Sequence, residues 1–213
     1  MTIPLLLDSI YLPNIQYVTW IIHHPDVCIE VNDHYQKRTW RNKMQLSGPD
    51  GPVLLSVPLL KGKHQGQKMT DVRIDPNQAW QRNHWRTIAT LYGKSPFFPH
   101  YADRIQPLFN TNYTHLADLN WDSLLTIISI LNLQINLTRT TRYLSSDPSG
   151  YLDLRGKIAY PVSKQAQRAC PPYPQVFSDK QGFIANCSIL DLIFCCGPEA
   201  TLRMREMNPE LCS

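Results

Sequence analysis

Apolar and polar positions divide the first half of the chain into short elements. "IPLLLDSIYL" is a nearly continuous apolar run and predicts a buried strand ending near Pro13. "NIQYVTWII" has helical spacing and stops before "HHPD". In "DVCIEV", Val27, Ile29 and Val31 alternate with Cys28, Glu30 and Asn32, the period of a strand. "SGPDGP" reads as a turn, "VLLSVPLL" as a strand that Pro58 places at an edge or bulge, and "MTDVRI" as a further short strand. The clearest helix follows. Asp75 is placed to cap it, Pro76 fits its first turn and Gly93 can close it, while Trp80, His84, Ile88 and Leu91 form one stripe. "YADRIQPLF" predicts a shorter helix cut by Pro107, "WDSLLTIISIL" an almost wholly buried helix, and "INLTRTTRYL" a returning strand.

A strand–helix–strand step followed by several helices predicts an α/β fold, a mixed sheet with helices packed on it. The texture changes near Ser145, where a run rich in Pro and Ser shows weak periodicity. Residues 1–145 therefore read as the α/β core. Residues 146–213 read as an irregular connector and C-terminal short helices packed on that core, one structural domain overall. Within that extension, Ser188 and Asp191 have capping-box spacing and Gly197 can end the helix they begin.

Composition narrows the function classes. The chain has 213 residues, 43% of them hydrophobic and only 18% charged, with 17 prolines, which suits a globular domain with many fixed turns. A formal charge of +4 permits an anionic small molecule but provides too little basic surface for nucleic acid. The opening "MTIPLLLDSIYLP" reads as a strand rather than a signal peptide, and no run approaches the roughly 20 apolar residues of a membrane span. A cytoplasmic protein is the expectation. None of the six cysteines forms C-x-x-C, and no H-x-x-x-H occurs, so neither a metal site nor a cofactor is expected. P-loop, dinucleotide-binding and nucleophile-elbow motifs are likewise missing.

One stretch has more polar groups than a core needs. Nine of the eleven residues from Asn32 to Asn42 are polar and non-aromatic, directly after a strand. If extended, it places His34, Gln36, Arg38, Trp40 and Asn42 on one face and Asp33, Tyr35, Lys37, Thr39 and Arg41 on the other. Such a set suits an anionic ligand, because Arg offers a fork and Lys a point charge; a guarded edge strand would produce it too. His84 on the apolar stripe is either a core histidine or a general acid or base. Ser95, before Pro96, either helps to hold an anion with the amides near Gly93 or simply marks a helix stop.

These motifs fall in one order: "YLPNIQY", "VNDHYQKRTWRNK", "GPVLLSVPL", "VRID", "HWRTIATLYGKSPFFPHYADRIQPLF", "ADLN" and "YPQVFSDKQGFIANCSILDLIF". Together they resemble the WbqC-like family, in the long bacterial form of the Bacteroides type. The resemblance runs from Ile3 to about Arg203. It implies an association with O-antigen and surface-polysaccharide gene clusters. It also implies an aminoacyl, glycine or acyl transferase acting on a sugar or nucleotide-sugar. Recurrent polar positions of the family match at Asp33, Lys37, Arg41 and Asn42, and its Y-x-K-x-P element matches at Tyr92, Lys94 and Pro96, with Ser95 between. The opening departs from the family, because a Gln before the first loop and a Gly in the first helix are missing. On this reading His84 or Asp33 is the catalytic base, and His34, Lys37, Arg41, Asn42, Tyr92 and Ser95 bind the substrate, in one pocket shared by the two segments. The partners are then small molecules, a sugar or nucleotide-sugar with an acyl or aminoacyl donor. The rival reading is a non-catalytic nucleotide-sugar or partner-binding module.

Overall fold

Three leucines in a row open the first strand, β1 (Leu5–Asp8), and all three are fully buried. Such a run belongs in the middle of a parallel sheet covered on both faces. In the computed structural model, which describes residues 3–60, 66–145, 148–161 and 170–208, β1 lies between β2 (Asp26–Glu30) and β6 (Leu152–Asp153), with β5 (Asn136–Arg139) beyond β2. All three pairings are parallel. Leu5 is level with Val27 and Leu152, and Asp8 is level with Glu30.

Between β1 and β2 runs α1 (Ile15–Ile22), which begins where the Asn14 side chain accepts from the Tyr17 amide at 3.0 Å. A separate antiparallel hairpin, β3 (Lys43–Gly48) and β4 (Gly51–Ser56), turns at the Gly- and Pro-rich "SGPDGP". Helices α2 (Trp80–Tyr92), α3 (Phe98–Ile105), α4 (Pro107–Asn110) and α5 (Leu116–Ile130) then lead to β5. Pro107 separates α3 from α4 as its missing amide requires. On α5, Leu124, Ile127 and Ile130 lie in the core, but Leu125 is 43% exposed, so the helix is buried along a stripe and not all round.

The last segment carries α6 (Ser178–Gln181), α7 (Ile189–Cys196) and α8 (Glu199–Glu206). It docks on the turn before α1. The Ile15 amide donates to Cys187 O at 3.0 Å, the Ile189 amide donates to Pro13 O at 2.8 Å, and the side chains of Gln16 and Asn186 pair at 3.1 Å. Gly197 ends α7 with φ +54°, and a Cβ there would run into the Phe97 ring.

Several local expectations change. "MTDVRI" is not a strand: Met69–Asp71 is a 3₁₀ turn, and only isolated bridges join Arg73 to His115 and Ile74 to Leu59. Asp75 caps no helix. Its carboxylate accepts from the Asn77 amide at 3.0 Å and from the Gln78 side chain at 3.2 Å, a local Asx turn that delays α2 to Trp80. Ser188 does cap α7, but Asp191 turns its carboxylate into the interior instead of back to the cap. β6 lies in the segment that the sequence marks as irregular.

Candidate functional site

Parallel strands end on the same side of a sheet. Here that side carries Asp8 of β1, Glu30 of β2 and Asp153 of β6. The chain leaves β1 toward β2 on one flank and returns with β6 on the other. A crevice outside the carboxyl ends, at a strand where the order reverses, is where open parallel sheets hold ligands.

The loop after β2 closes over that crevice. It is a turn-rich segment rather than a strand, with Arg38 at φ +58° and a 3₁₀ turn at Trp40–Asn42. The reason is Arg41. Its side chain, 3% exposed, is drawn inward between two carboxylates: one nitrogen, Nη2, donates to Asp8 Oδ1 at 2.7 Å and to Asp33 Oδ2 at 2.6 Å. Asp8 Oδ2 accepts from the Gly156 amide at 2.7 Å, and Asp33 Oδ1 from the His34 amide at 2.6 Å. Burial pushes the Asp8 carboxyl above the ordinary value for an aspartate, and Asp33 adds to the effect; Arg41 and the Gly156 amide oppose it without cancelling it.

A second arginine organises the neighbouring rim. Arg155 forks Asp153 through Nε at 2.9 Å and Nη2 at 2.6 Å. Its Nη1 donates to Leu144 O at 2.6 Å and reaches Glu30 Oε2 at 3.3 Å. Glu30, fully buried at its side chain, also accepts from the Thr140 hydroxyl and the Asn32 amide, each at 2.7 Å. Burial alone would raise the Asp153 pKa; the Arg155 fork outweighs it and holds the carboxyl below its usual value.

Two clefts open on this edge. One, of about 310 Å³, has an aromatic and basic wall that includes Arg38, Trp40 and Tyr160. Trp40 meets the Tyr160 ring edge-on at 4.8 Å and donates to Ala159 O at 2.8 Å, while Lys43 Nζ bonds the Tyr160 hydroxyl at 3.1 Å. The other, of about 230 Å³, is acidic, with Asp33, Asp153, Tyr143 and Arg155. Asp8, Gln36 and Gly156 line both.

The candidate residues separate. Asp33 and Arg41 meet at this edge. His34 and Lys37 are exposed on the same loop. Asn42 faces away, donating to Val57 O at 2.9 Å and accepting from the Tyr35 hydroxyl at 3.2 Å. His84 lies in the core at 4% exposure, packed on Trp80, with Nδ1 3.1 Å from the Tyr11 hydroxyl. Burial lowers its pKa to about 4, so the ring stays neutral near pH 7. Tyr92 is fully buried, its hydroxyl donating to Asp191 at 2.7 Å and accepting from the Ser47 amide at 3.1 Å. The Ser95 hydroxyl, also buried, donates to Tyr92 O at 2.7 Å. Neither cleft lined by the Asn32–Asn42 loop includes a residue of the His84–Ser95 segment, so the single pocket expected for the two segments is not formed at these clefts.

Sequence reading passed over Asp8, Glu30, Asp153, Arg155 and Tyr160. The signal for the first two was a carboxylate at the end of an apolar strand. Nothing in the sequence marked β6 as the strand that brings the others. Among the described residues no group of His, Cys, Asp and Glu is placed to hold a metal ion, and no helix is long and apolar enough to cross a membrane.

No curated protein and no solved structure matches the chain. The sequence model of one family does, over residues 8–158, a span that opens on Asp8 and takes in Asp33, Arg41, Asp153 and Arg155. With the greater part of its length matched, the chain belongs to the WbqC-like protein family.

Proposed function

We propose that the protein is a transferase that moves an acyl or aminoacyl group onto a hydroxyl or amine of a sugar or nucleotide-sugar during synthesis of a bacterial surface polysaccharide. The observation that carries this reading is the junction of the two clefts on one carboxyl group, Asp8. A transfer between two small molecules needs two adjoining sites with a proton acceptor between them. The aromatic cleft, with Arg38 in its wall and Lys37 near it on the loop, suits the planar and anionic part of a nucleotide-sugar. Arg41 is matched by two carboxylates already, so it positions Asp8 and Asp33 and leaves the anion to the rim.

In the step proposed, the acceptor oxygen or nitrogen attacks the donor carbonyl carbon and its proton passes to Asp8. The tetrahedral intermediate then collapses, the bond to the leaving group breaks, and Asp8 returns the proton to that group. An aspartate with a raised pKa is the better general base, because proton affinity rises with pKa. Asp33 supports it through their shared guanidinium nitrogen.

The test is to supply the protein with amino- and hydroxyl-bearing nucleotide-sugars together with acyl-CoA or activated glycine, and to look for the acylated product by mass spectrometry. Asp8→Asn should bind the nucleotide-sugar unchanged and form no product. Product formation by folded Asp8→Asn at the wild-type rate overturns the role of Asp8. Binding without product in the wild type assigns the non-catalytic module instead.

A further inference from the structure

A separate cleft of about 390 Å³ lies between α2 and the loop before α5, with no residue in common with the two at the sheet edge. Its walls combine three kinds of group. Leu60, Ile74 and Pro76 join the rings of Trp80 and Tyr113 as apolar surface. Gln78, Gln81, Asn112 and Thr114 supply amides and a hydroxyl. Arg73 is the single charged group among the described residues of its lining. Among the described residues, no hydrogen bond or ion pair involves the side chains of Arg73, Asn112 or Thr114. Trp80, by contrast, is held firmly, wedged against Tyr11 at 6.3 Å and His84 at 5.3 Å.

We propose that this cleft binds an acidic monosaccharide, a hydroxylated ring carrying one anionic group. Asn112 and Thr114 can each donate to one sugar hydroxyl and accept from another, while Gln78 and Gln81, which donate to Asp75 Oδ2 at 3.2 Å and to Thr111 O at 2.6 Å, keep their amide oxygens to accept. Aromatic and aliphatic walls suit the C–H faces of the ring. A guanidinium that forms no ion pair among the described residues selects one negative charge, through a fork that fits a carboxylate or a phosphate equally. Among the described residues its lining offers amides, a hydroxyl and a guanidinium and no carboxylate or histidine, a set suited to binding. This reading stands apart from the chemistry proposed at Asp8.

Calorimetric titration of the full chain tests it with glucuronate, glucose 6-phosphate, glucose and inorganic phosphate. One or both acidic sugars should bind, and which of them binds more tightly tells a uronate site from a sugar-phosphate site. Glucose and inorganic phosphate should each bind at least about tenfold more weakly, since each lacks one half of the recognition. Arg73 is exposed, so Arg73→Gln leaves the fold intact, and it should weaken the acidic sugars by about tenfold or more. Asn112→Ala should weaken both acidic and neutral sugar, and Asp8→Asn neither. The proposal is overturned if neither acidic sugar binds, if Arg73→Gln binds them as the wild type does, or if inorganic phosphate alone binds as tightly as the sugars.

Discussion

Arg41 holds together two carboxylates that would otherwise face each other at the mouth of the crevice. Removing it leaves both uncompensated in a place largely closed to water. Arg41→Ala should therefore lower stability by about 3 kcal/mol, the scale found when one partner of a buried pair is deleted. Urea unfolding should show a lower midpoint with an unchanged slope. Arg41→Lys should recover only part of the loss, because an ammonium on a flexible stem does not reproduce the planar guanidinium. His84 gives a different signature. The folded protein keeps its ring neutral, with Nδ1 against the Tyr11 hydroxyl and the backbone of Ser56 holding the ring through a further hydrogen bond. The unfolded chain takes up a proton near 6.5, whereas the folded one does so near 4. The contribution of His84 is therefore complete above pH 6.5 and is lost as pH falls toward 4, by up to about 3 kcal/mol. In His84→Gln the stability curve should be flatter between those two pH values. The sequence placed both residues on notable stretches but could not say which way each side chain turns. That depends on Asp8, 33 positions before Arg41, and on Tyr11, 73 positions before His84.

Elements with a strong local signal were legible: the alternation of β2, the helical spacing of α1, the Pro107 break and the Gly197 stop all derive from neighbouring residues. What escaped depends on distant partners. Leu152–Asp153 is a strand only because β1 offers it an edge, and the Asp75 turn delays α2 because Asn77 and Gln78 are there to bind its carboxylate. The C-terminal segment shows how firmly such distant partners can tie an element down. Asp191 of α7, wholly buried, accepts from the hydroxyls of Tyr92 and Tyr173 and from Gln175 Nε2, joining the end of α2, the 170–177 stretch and α7 at one carboxyl. Tyr173→Phe keeps the ring against Phe183 but takes one donor from a buried acid. It should cost about 2 kcal/mol and speed amide exchange along the 170–187 stretch before it does so in β1 or β2.

At the scale of the whole molecule, the crevice is assembled from parts far apart in sequence: Asp8, the loop from Asp33 to Arg41, and Asp153 to Gly156. Loosening β6 should thus damage the site without touching its chemistry. Arg155→Ala, which frees Asp153, Glu30 and the Leu144 carbonyl at once, should weaken nucleotide-sugar binding and lower the melting temperature together. The same geometry bears on how the protein is made. β1 is the most apolar strand of the sheet, yet the partner of Leu5 on one side, Leu152, is synthesised 147 residues after it. At ordinary rates of translation that interval is on the order of ten seconds. Throughout it, a newborn chain carries three bare leucines along an open hydrogen-bonding edge, the kind of surface on which chains adhere to one another. Chaperone capture of ribosome-bound chains should therefore persist until β6 has left the exit tunnel, and Leu6→Lys, which blunts that edge, should shorten it even though the finished fold suffers.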